Sequence, residues 1–373
     1  METNLKPRTA HRPASPASGP HESTPRTSAT PDARTWNEIL KPYKRAHDGK
    51  ALWQLATTAA LFAGVWWAML ASLQVGWWLT WLLAIPAAGL FTRLFIFQHD
   101  CGHGAFFRSQ KVNNAVGSVL GVVTLFPYHY WRRTHAIHHA THGDLDRREF
   151  GDIVTITVDE YRGRSRWGRL AYRLYRNLFV LLVIGPTYQF VIKHRLPLDA
   201  PRDWKREWAS VLWTNLGIAA AVTVLATTVG LVPFLMVQAP IIVLGGALGV
   251  WLFYVQHQFE DTYWEHNPQW EFHRAAFEGS SFLDLPRVLH WFTGNIGYHH
   301  IHHLSSRIPN YELPRCMAEN PELQHVTRFG LLESLRCSRL KLWDEESRRL
   351  IGFRELARRR STAAEPPAHA EAA

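Results

Sequence analysis

Hydrophobic residues fall into long blocks along this chain. One block covers about residues 51–73 and a second about 76–97. Each reaches the roughly 20 apolar residues that a helix needs to cross a bilayer core. Only Gln74, Val75 and Gly76 link them, which predicts a tight helical hairpin. A second pair covers about 209–229 and 231–255, joined near Gly230 and Pro233. Blocks this long with so few charges are hard to bury in a water-soluble core. The pattern predicts an all-α membrane protein with four transmembrane helices in two hairpins. Trp66, Trp67, Trp77, Trp78 and Trp81 lie in or beside the first pair. Indole suits the membrane interface, because its body is apolar and its N–H needs a partner.

Two shorter blocks, 112–127 and 177–192, are interrupted by polar residues or by Pro186. They fit interfacial or re-entrant segments better than full spans. Residues 1–35 carry six Pro and much Ser, Thr and Ala, and read as a disordered tail. The folded region expected from this pattern is 36–349. Residues 350–373 read as a basic segment that ends, from 361, in a second tail.

The formal charge of +10 raises the question of nucleic acid. The basic residues, however, flank apolar blocks, where a membrane surface accounts for them. Lys41, Lys44, Arg45 and Lys50 precede the first span, and the long middle segment is rich in Arg, whereas neither short link carries Lys or Arg. The positive-inside rule then places both termini and the middle segment in the cytoplasm. Arg93, near the end of the second block, is expected to snorkel to that interface.

The chain has three Cys and no CxxC pair, so it is neither a disulfide scaffold nor a zinc ribbon. Its 21 His exceed what packing needs, and they cluster. His99 and His103 stand four apart directly after the second span. His135, His138 and His139 share a helix face at i, i+3 and i+4, and so do His299, His302 and His303. His300 falls off that face. The topology puts all three clusters on the cytoplasmic side. Eight imidazoles converging there would repel one another if protonated, and desolvation lowers their basicity. Neutral imidazole is a good transition-metal ligand, and eight ligands suit two ions better than one. Soluble di-iron bundles use carboxylates with ExxH pairs. Here the ExxH, Glu322 to His325, lies outside the clusters. A zinc transporter would place its ligands along a path through the spans, and these spans are nearly free of ionisable groups.

The clusters, their order and their place between two hairpins resemble the integral-membrane fatty-acid desaturase and hydroxylase superfamily, from about Trp36 to Arg349. The stretch from His99 to Phe107 (HDCGHGAFF), the run from Tyr128 to His139 and the run from Gly294 to Leu304 are similar to bacterial acyl-lipid desaturases of the Δ12 and ω3 type. The resemblance implies two Fe ions, O2 as co-substrate and a cis double bond introduced into a lipid acyl chain. The implied ligands are His99, His103, His135, His138, His139, His299, His302 and His303. His257 stands where family members often recruit one more ligand; the alternative is an interfacial His packed against the site. Electrons must come from outside, from ferredoxin or a cytochrome b5-like donor, because the chain carries no haem, flavin or iron–sulfur motif. The expected location is the bacterial inner membrane.

Metal-bound imidazoles usually donate their other N–H to a carboxylate or carbonyl. Asp100, Asp144, Asp146, Asp152, Asp261 and Asn295 are candidates for that role. His129, His142, His266 and His290 are expected to sit beside the site or on the surface. Cys101 reads as a small packing residue. The nearest competing reading is a hydroxylase or ketolase on the same scaffold, acting on an alkane, carotenoid or sphingolipid. Double-bond position, acyl carrier and oligomeric state are left open by the residues.

Overall fold

The computed structural model describes residues 32–148 and 151–364. Helix α1 (Ala33–Leu40) starts within the expected tail, capped by Asp32, whose Oδ1 accepts from Thr35 N at 2.8 Å. Residues 1–31 of that tail, and 365–373 of the second, lie outside the described residues.

Helix α2 (Asp48–Ser72) and helix α3 (Trp77–Gly102) form the first hairpin. After them come α4 (Gln110–Val123) and α5 (Tyr128–Thr141). The middle segment holds strand β1 (Ile156–Thr157), α6 (Val158–Gly163), α7 (Arg166–Tyr175) and, after a π-helical turn at Val180–Ile184, α8 (Gly185–Val191). The second hairpin is α9 (Lys205–Val229) and α10 (Leu231–His257). The remainder is a cap of short elements: α11 (Phe272–Glu278), β2 (Phe282–Asp284), α12 (Arg287–Phe292), α13 (His299–Leu304) and α14 (Leu313–Glu319). It continues with β3 (Arg328–Gly330), α15 (Leu331–Ser334), β4 (Leu342–Asp344), β5 (Arg349–Ile351) and α16 (Phe353–Ala364). The strands form two small sheets, β1-β4-β5 and β2-β3.

Four helices, α2, α3, α9 and α10, are long and apolar enough to cross a membrane. Their outward faces carry Trp53, Trp67, Trp78, Ile85, Trp213 and Val232, all exposed. Apolar exposure on this scale suits a lipid environment. Their inward faces pack Trp66, Met69, Ala87, Phe91, Val237 and Ile241 into one core. Gly245 lets α10 approach α3, because a Cβ there would meet the Phe91 ring at 2.7 Å. The fold is that of an all-α membrane protein.

The segment 180–195 is bent by 63° against α7. Its Pro186 and Phe190 pack on Gly246 of α10, in keeping with an interfacial or re-entrant piece. Helix α3 continues past its apolar block to Gly102, and α10 to His257, so both carry histidines at their ends. Two expectations need correction. Arg93 does not snorkel to the interface. It is buried, bonds Thr58 Oγ1 at 3.1 Å and the Trp291 carbonyl, and lies over the Trp291 ring at 4.4 Å. The helix extends beyond it, and the cap supplies acceptors inside the protein. Last, the boundary at 349 falls inside β5. Leu350, Ile351 and Leu356 are buried and Arg359 bonds Asp344, so 350–359 belongs to the folded unit.

Candidate metal centre

Helical geometry sorts the histidines into two sets. His99 and His103, from the end of α3, join His135 and His139 of α5 and His302 of α13. His138, His257, His299 and His303 form the second set. Within each set, donor nitrogens lie within 4.8 Å of one another. In α5 the i, i+4 pair His135 and His139 stays together, while His138, rotated off that line, turns to the other set. In α13 the roles are exchanged: His299 and His303 stay together and His302 crosses over. Side chains four apart sit one above the other on a helix, whereas the i+3 position is offset. Two short helices thus each serve both sets.

The nitrogens face one another closely. His139 Nε2 is 3.1 Å from His135 Nε2 and 2.9 Å from His302 Nε2, and His299 Nε2 is 2.9 Å from His257 Nε2. Two imidazole nitrogens bound to one ion at about 2.1 Å stand about 3 Å apart at a right angle. Among the described residues, Nε2 of His99, His103, His138 and His303 is buried with no hydrogen-bond partner. An orphaned buried nitrogen costs free energy unless something binds it. Inward-facing, partnerless ring nitrogens are what a ligand set requires, so the residues fit metal ions at both sets.

Burial, followed by the neighbouring rings, pushes the pKa of His103, His135, His139, His299, His302 and His303 well below the ordinary histidine value. That direction favours the neutral form, which is the one that ligates.

Outer groups orient three of the rings. His99 Nδ1 meets Asp100 Oδ1 at 3.1 Å, and Asp100 Oδ2 accepts from Asn310 N and Nδ2 at 2.8 and 2.9 Å. His138 Nδ1 meets Asp152 Oδ1 at 2.6 Å. Burial pushes the Asp152 carboxyl up, but the His138 and His142 rings outweigh it and hold it well below the usual carboxylate range. His257 Nδ1–H donates to the Gly279 carbonyl at 3.1 Å, which leaves its Nε2 free to face His299. Such contacts fix the tautomer and aim the ligating nitrogen.

Of the other carboxylates and the amide expected here, the structure gives none direct contact with an imidazole of the two sets. Asp144 is buried in a turn, bonded to Arg147 Nε at 2.5 Å and to Asn267. Asp146 holds the exposed His266 at 2.7 Å. Asp261 is exposed. Asn295 is one step removed: its Nδ2 donates to the Asn310 carbonyl at 3.0 Å, and Asn310 in turn holds Asp100. Spacing along a chain could not separate Asp152, which meets His138, from Asp144, which is tied to Arg147 and Asn267.

His142 lies against the second set, its Nε2 2.8 Å from the same Gly279 carbonyl. His129 packs at the start of α5, and His290 accepts from Leu285 N at 3.1 Å. His300 is buried beside Phe277 and Phe282, outside both sets. Cys101 is a fully buried packing residue whose carbonyl accepts from Tyr128 OH.

The sequence reading missed the apolar walls. Trp131 stacks on His135 with ring centroids 4.6 Å apart, and Phe253 lies 5.0 Å from His138 and 5.2 Å from His257. Each sits four residues before a histidine on the same helix, which is the signal that marks them. Gly279 acts through its carbonyl, so its side-chain identity carried no signal.

Comparison with known proteins agrees with this geometry. The family model described as fatty acid desaturase matches residues 76–328. A fatty acid desaturase of Bacillus subtilis is 45% identical over 306 residues, covering 82% of this chain and 86% of the relative. An endoplasmic reticulum omega-3 fatty acid desaturase of Vigna radiata is 29% identical over 260 residues, covering 63% of each chain. An sn-1 acyl-lipid omega-3 desaturase (ferredoxin) of Synechocystis sp. is 28% identical over 256 residues, covering 65% of this chain and 67% of the relative. With a match over more than half its length and a bacterial relative this similar, the chain belongs to the fatty acid desaturase family.

Proposed function

We propose that this fatty acid desaturase introduces a cis double bond into the acyl chain of a membrane lipid, with Δ12 or ω3 type regiochemistry, using two His-ligated irons. The observation that carries this reading is the division of nine imidazoles into sets of five and four, with no carboxylate in either among the described residues. Structural zinc is satisfied by four ligands, so the set of five argues for a metal of higher coordination number.

An unactivated C–H bond offers no handle for acid–base catalysis. When bound, a pair of irons supplies the O2-derived oxidising power that such a bond requires. The protein's own residues do the rest. The histidines of the two sets would hold one ion each. Asp100, Asp152 and the Gly279 carbonyl aim the rings. Trp131 and Phe253 wall the site against water, which keeps the chemistry on the substrate. The electrons come from an external donor. A relative's name pairs acyl-lipid desaturation with ferredoxin, and a ferredoxin is our proposed partner here. The Lys and Arg pattern supports both termini and the histidine sets on the cytoplasmic side, and the bacterial relative supports an inner-membrane location.

The test is expression in a bacterial host with a ferredoxin system, followed by gas chromatography–mass spectrometry of lipid acyl chains with double-bond localisation. A new double bond at the Δ12 or ω3 position, lost in His138→Ala, is expected, with iron bound to the wild type. A hydroxylated or ketone product would move the chain to the competing class. Activity with zinc alone would overturn the iron assignment.

A further inference from the structure

We infer that a basic recess beside the first histidine pair binds the phosphate of a phospholipid headgroup, and that the lipid held there is the one desaturated. The recess is open and encloses about 360 Å³. Three separate segments build it: Lys44, Arg45 and His47 just before α2, Gly104, Phe107 and Arg108 just after α3, and Arg307 just after α13. It therefore adjoins the chain directly after His103, and Arg307 follows His303 by four residues.

Among the described residues, four full cations line it and no carboxylate does. Lys44 Nζ donates to a neutral acceptor, Asn37 Oδ1, at 2.8 Å, and Arg108 Nε donates to the Ala46 carbonyl at 3.2 Å. The acid nearby, Asp48, has its Oδ1 occupied by the Arg108 backbone N–H at 2.9 Å. Among the described residues, none of the four cations forms an ion pair, whereas cap arginines such as Arg328 and Arg349 do, with Asp284 and Glu260. Burial and the nearby Arg307 lower the Lys44 pKa. Gly104 has φ +66, and a Cβ there would meet Gln110 Oε1 at 2.4 Å and Arg307 Nη1 at 3.4 Å. The backbone thus passes beside the Arg307 guanidinium in a left-handed conformation that a side chain would strain.

Cations gathered in a concave site without a counter-charge raise the local potential and favour an anion. Guanidinium forks match phosphate oxygens. Position selects a lipid as the source. The first membrane helix begins at Asp48, one residue after His47, so the recess lies at the level of the headgroups, where anionic lipid attracts basic residues. It also lies on the same side as His99 and His103. A recess of this volume admits a headgroup, whereas a protein partner would need about 800 Å² of surface.

The substrate role rests on the acyl-lipid reading above; the binding site does not. The test compares the full-length, metal-loaded wild type with the Arg45→Gln/Arg307→Gln double variant. One readout is retention of phosphatidylglycerol from mixed micelles, followed by native mass spectrometry. The other is the preference for phosphatidylglycerol over an uncharged galactolipid with the same acyl chains, as a ratio of kcat/KM. Both should fall roughly tenfold in the variant, while Arg162→Gln on α6 should change neither.

Unchanged retention overturns the site. Full displacement of phosphatidylglycerol by inorganic phosphate overturns the lipid source. Intact retention with a raised KM for the electron donor assigns the recess to a protein and overturns it as well. Reduced retention with an unchanged lipid preference keeps the headgroup site and overturns its substrate role. If the wild type acts on no lipid at all, the acyl-lipid reading fails, while retention still decides the site.

Discussion

His257 Nε2 stands 2.9 Å from His299 Nε2, although 42 residues separate them. The last residue of α10 meets the first of α13, so a membrane helix ends inside the histidine site. The Gly279 carbonyl fixes the His257 ring by accepting from its Nδ1–H. In the four-histidine set, His257 is the member contributed by a membrane helix.

His257→Ala should therefore remove one metal position and leave the other. The expected iron content falls from about two per chain toward one, and desaturation falls at least about a hundredfold. Metal analysis of the purified variant by inductively coupled plasma mass spectrometry checks this. His290→Ala, also buried but outside both sets, is the control and should keep full iron. Full iron in His257→Ala would make the residue a packing group.

Asp152→Asn should weaken the second set without emptying it. The carboxylate lies 2.6 Å from His138 Nδ1, and losing such a partner costs roughly 10- to 100-fold in metal affinity or activity. An amide keeps an oxygen for the ring N–H but loses the charge, so Asp152→Asn should retain more iron than Asp152→Ala. Asp261→Asn should match the wild type, because Asp261 is exposed. Titration with a competing chelator measures all three.

Much of this site can be read from one chain, and the reason is local. Three clusters with i, i+3 and i+4 spacing need only helical geometry to place their rings, and the apolar blocks announce the helices that carry them. What the chain hides is set by contacts distant in sequence. Asp152 meets His138, while Asp144 is taken up by Arg147 and by Asn267, 123 residues away, and no periodicity announces either contact. Arg93 bonds the cap at Trp291, 198 residues away, and so looked like an interfacial residue when only its own helix was in view. Gly279 contributes a backbone carbonyl, and Asn310 acts through Asp100. Leu350 and Leu356 sit in a polar, basic stretch, and only pairing with β4 and packing in the cap show them to be core.

His266 gives the cap a pH-dependent clasp. Its Nδ1 meets Asp146 at 2.7 Å and its Nε2 meets Glu345 at 3.1 Å. The hydrogen bond to Asp146 raises the His266 pKa, partly opposed by desolvation, with Glu345 adding to the rise. A raised histidine pKa contributes stability that is complete below the unfolded value of about 6.5 and is lost as pH rises through the folded value. The difference in Tm between wild type and His266→Gln should therefore be largest below about pH 6.5 and shrink as pH rises through the folded value. Thermal melts across that range measure it, and a difference independent of pH would refute the clasp.

Gly117 tests how the first and second histidine clusters are held in register. It lies in α4, and a Cβ there would come within 2.2 Å of the Tyr128 ring. Tyr128 is fully buried, opens α5, and donates its OH to the Cys101 carbonyl of α3 at 2.7 Å. One ring thus ties the helix carrying His99 to the helix carrying His135. An Ala elsewhere in a helix stabilises by up to about 1 kcal/mol over Gly. Here overpacking should reverse the sign, costing about 1–3 kcal/mol, because the ring has no free space to move into. Gly64→Ala in α2 is the contrast: nothing lies within 4 Å of its added Cβ, so it should be neutral or slightly stabilising. Gly117→Ala should also lower iron retention, since displacing Tyr128 shifts α5 against α3. Tyr128→Leu introduced with Gly117→Ala should recover part of the lost stability, because the two residues are in direct contact and their effects should not add. Strict additivity in that cycle would place the strain elsewhere in the helix pair.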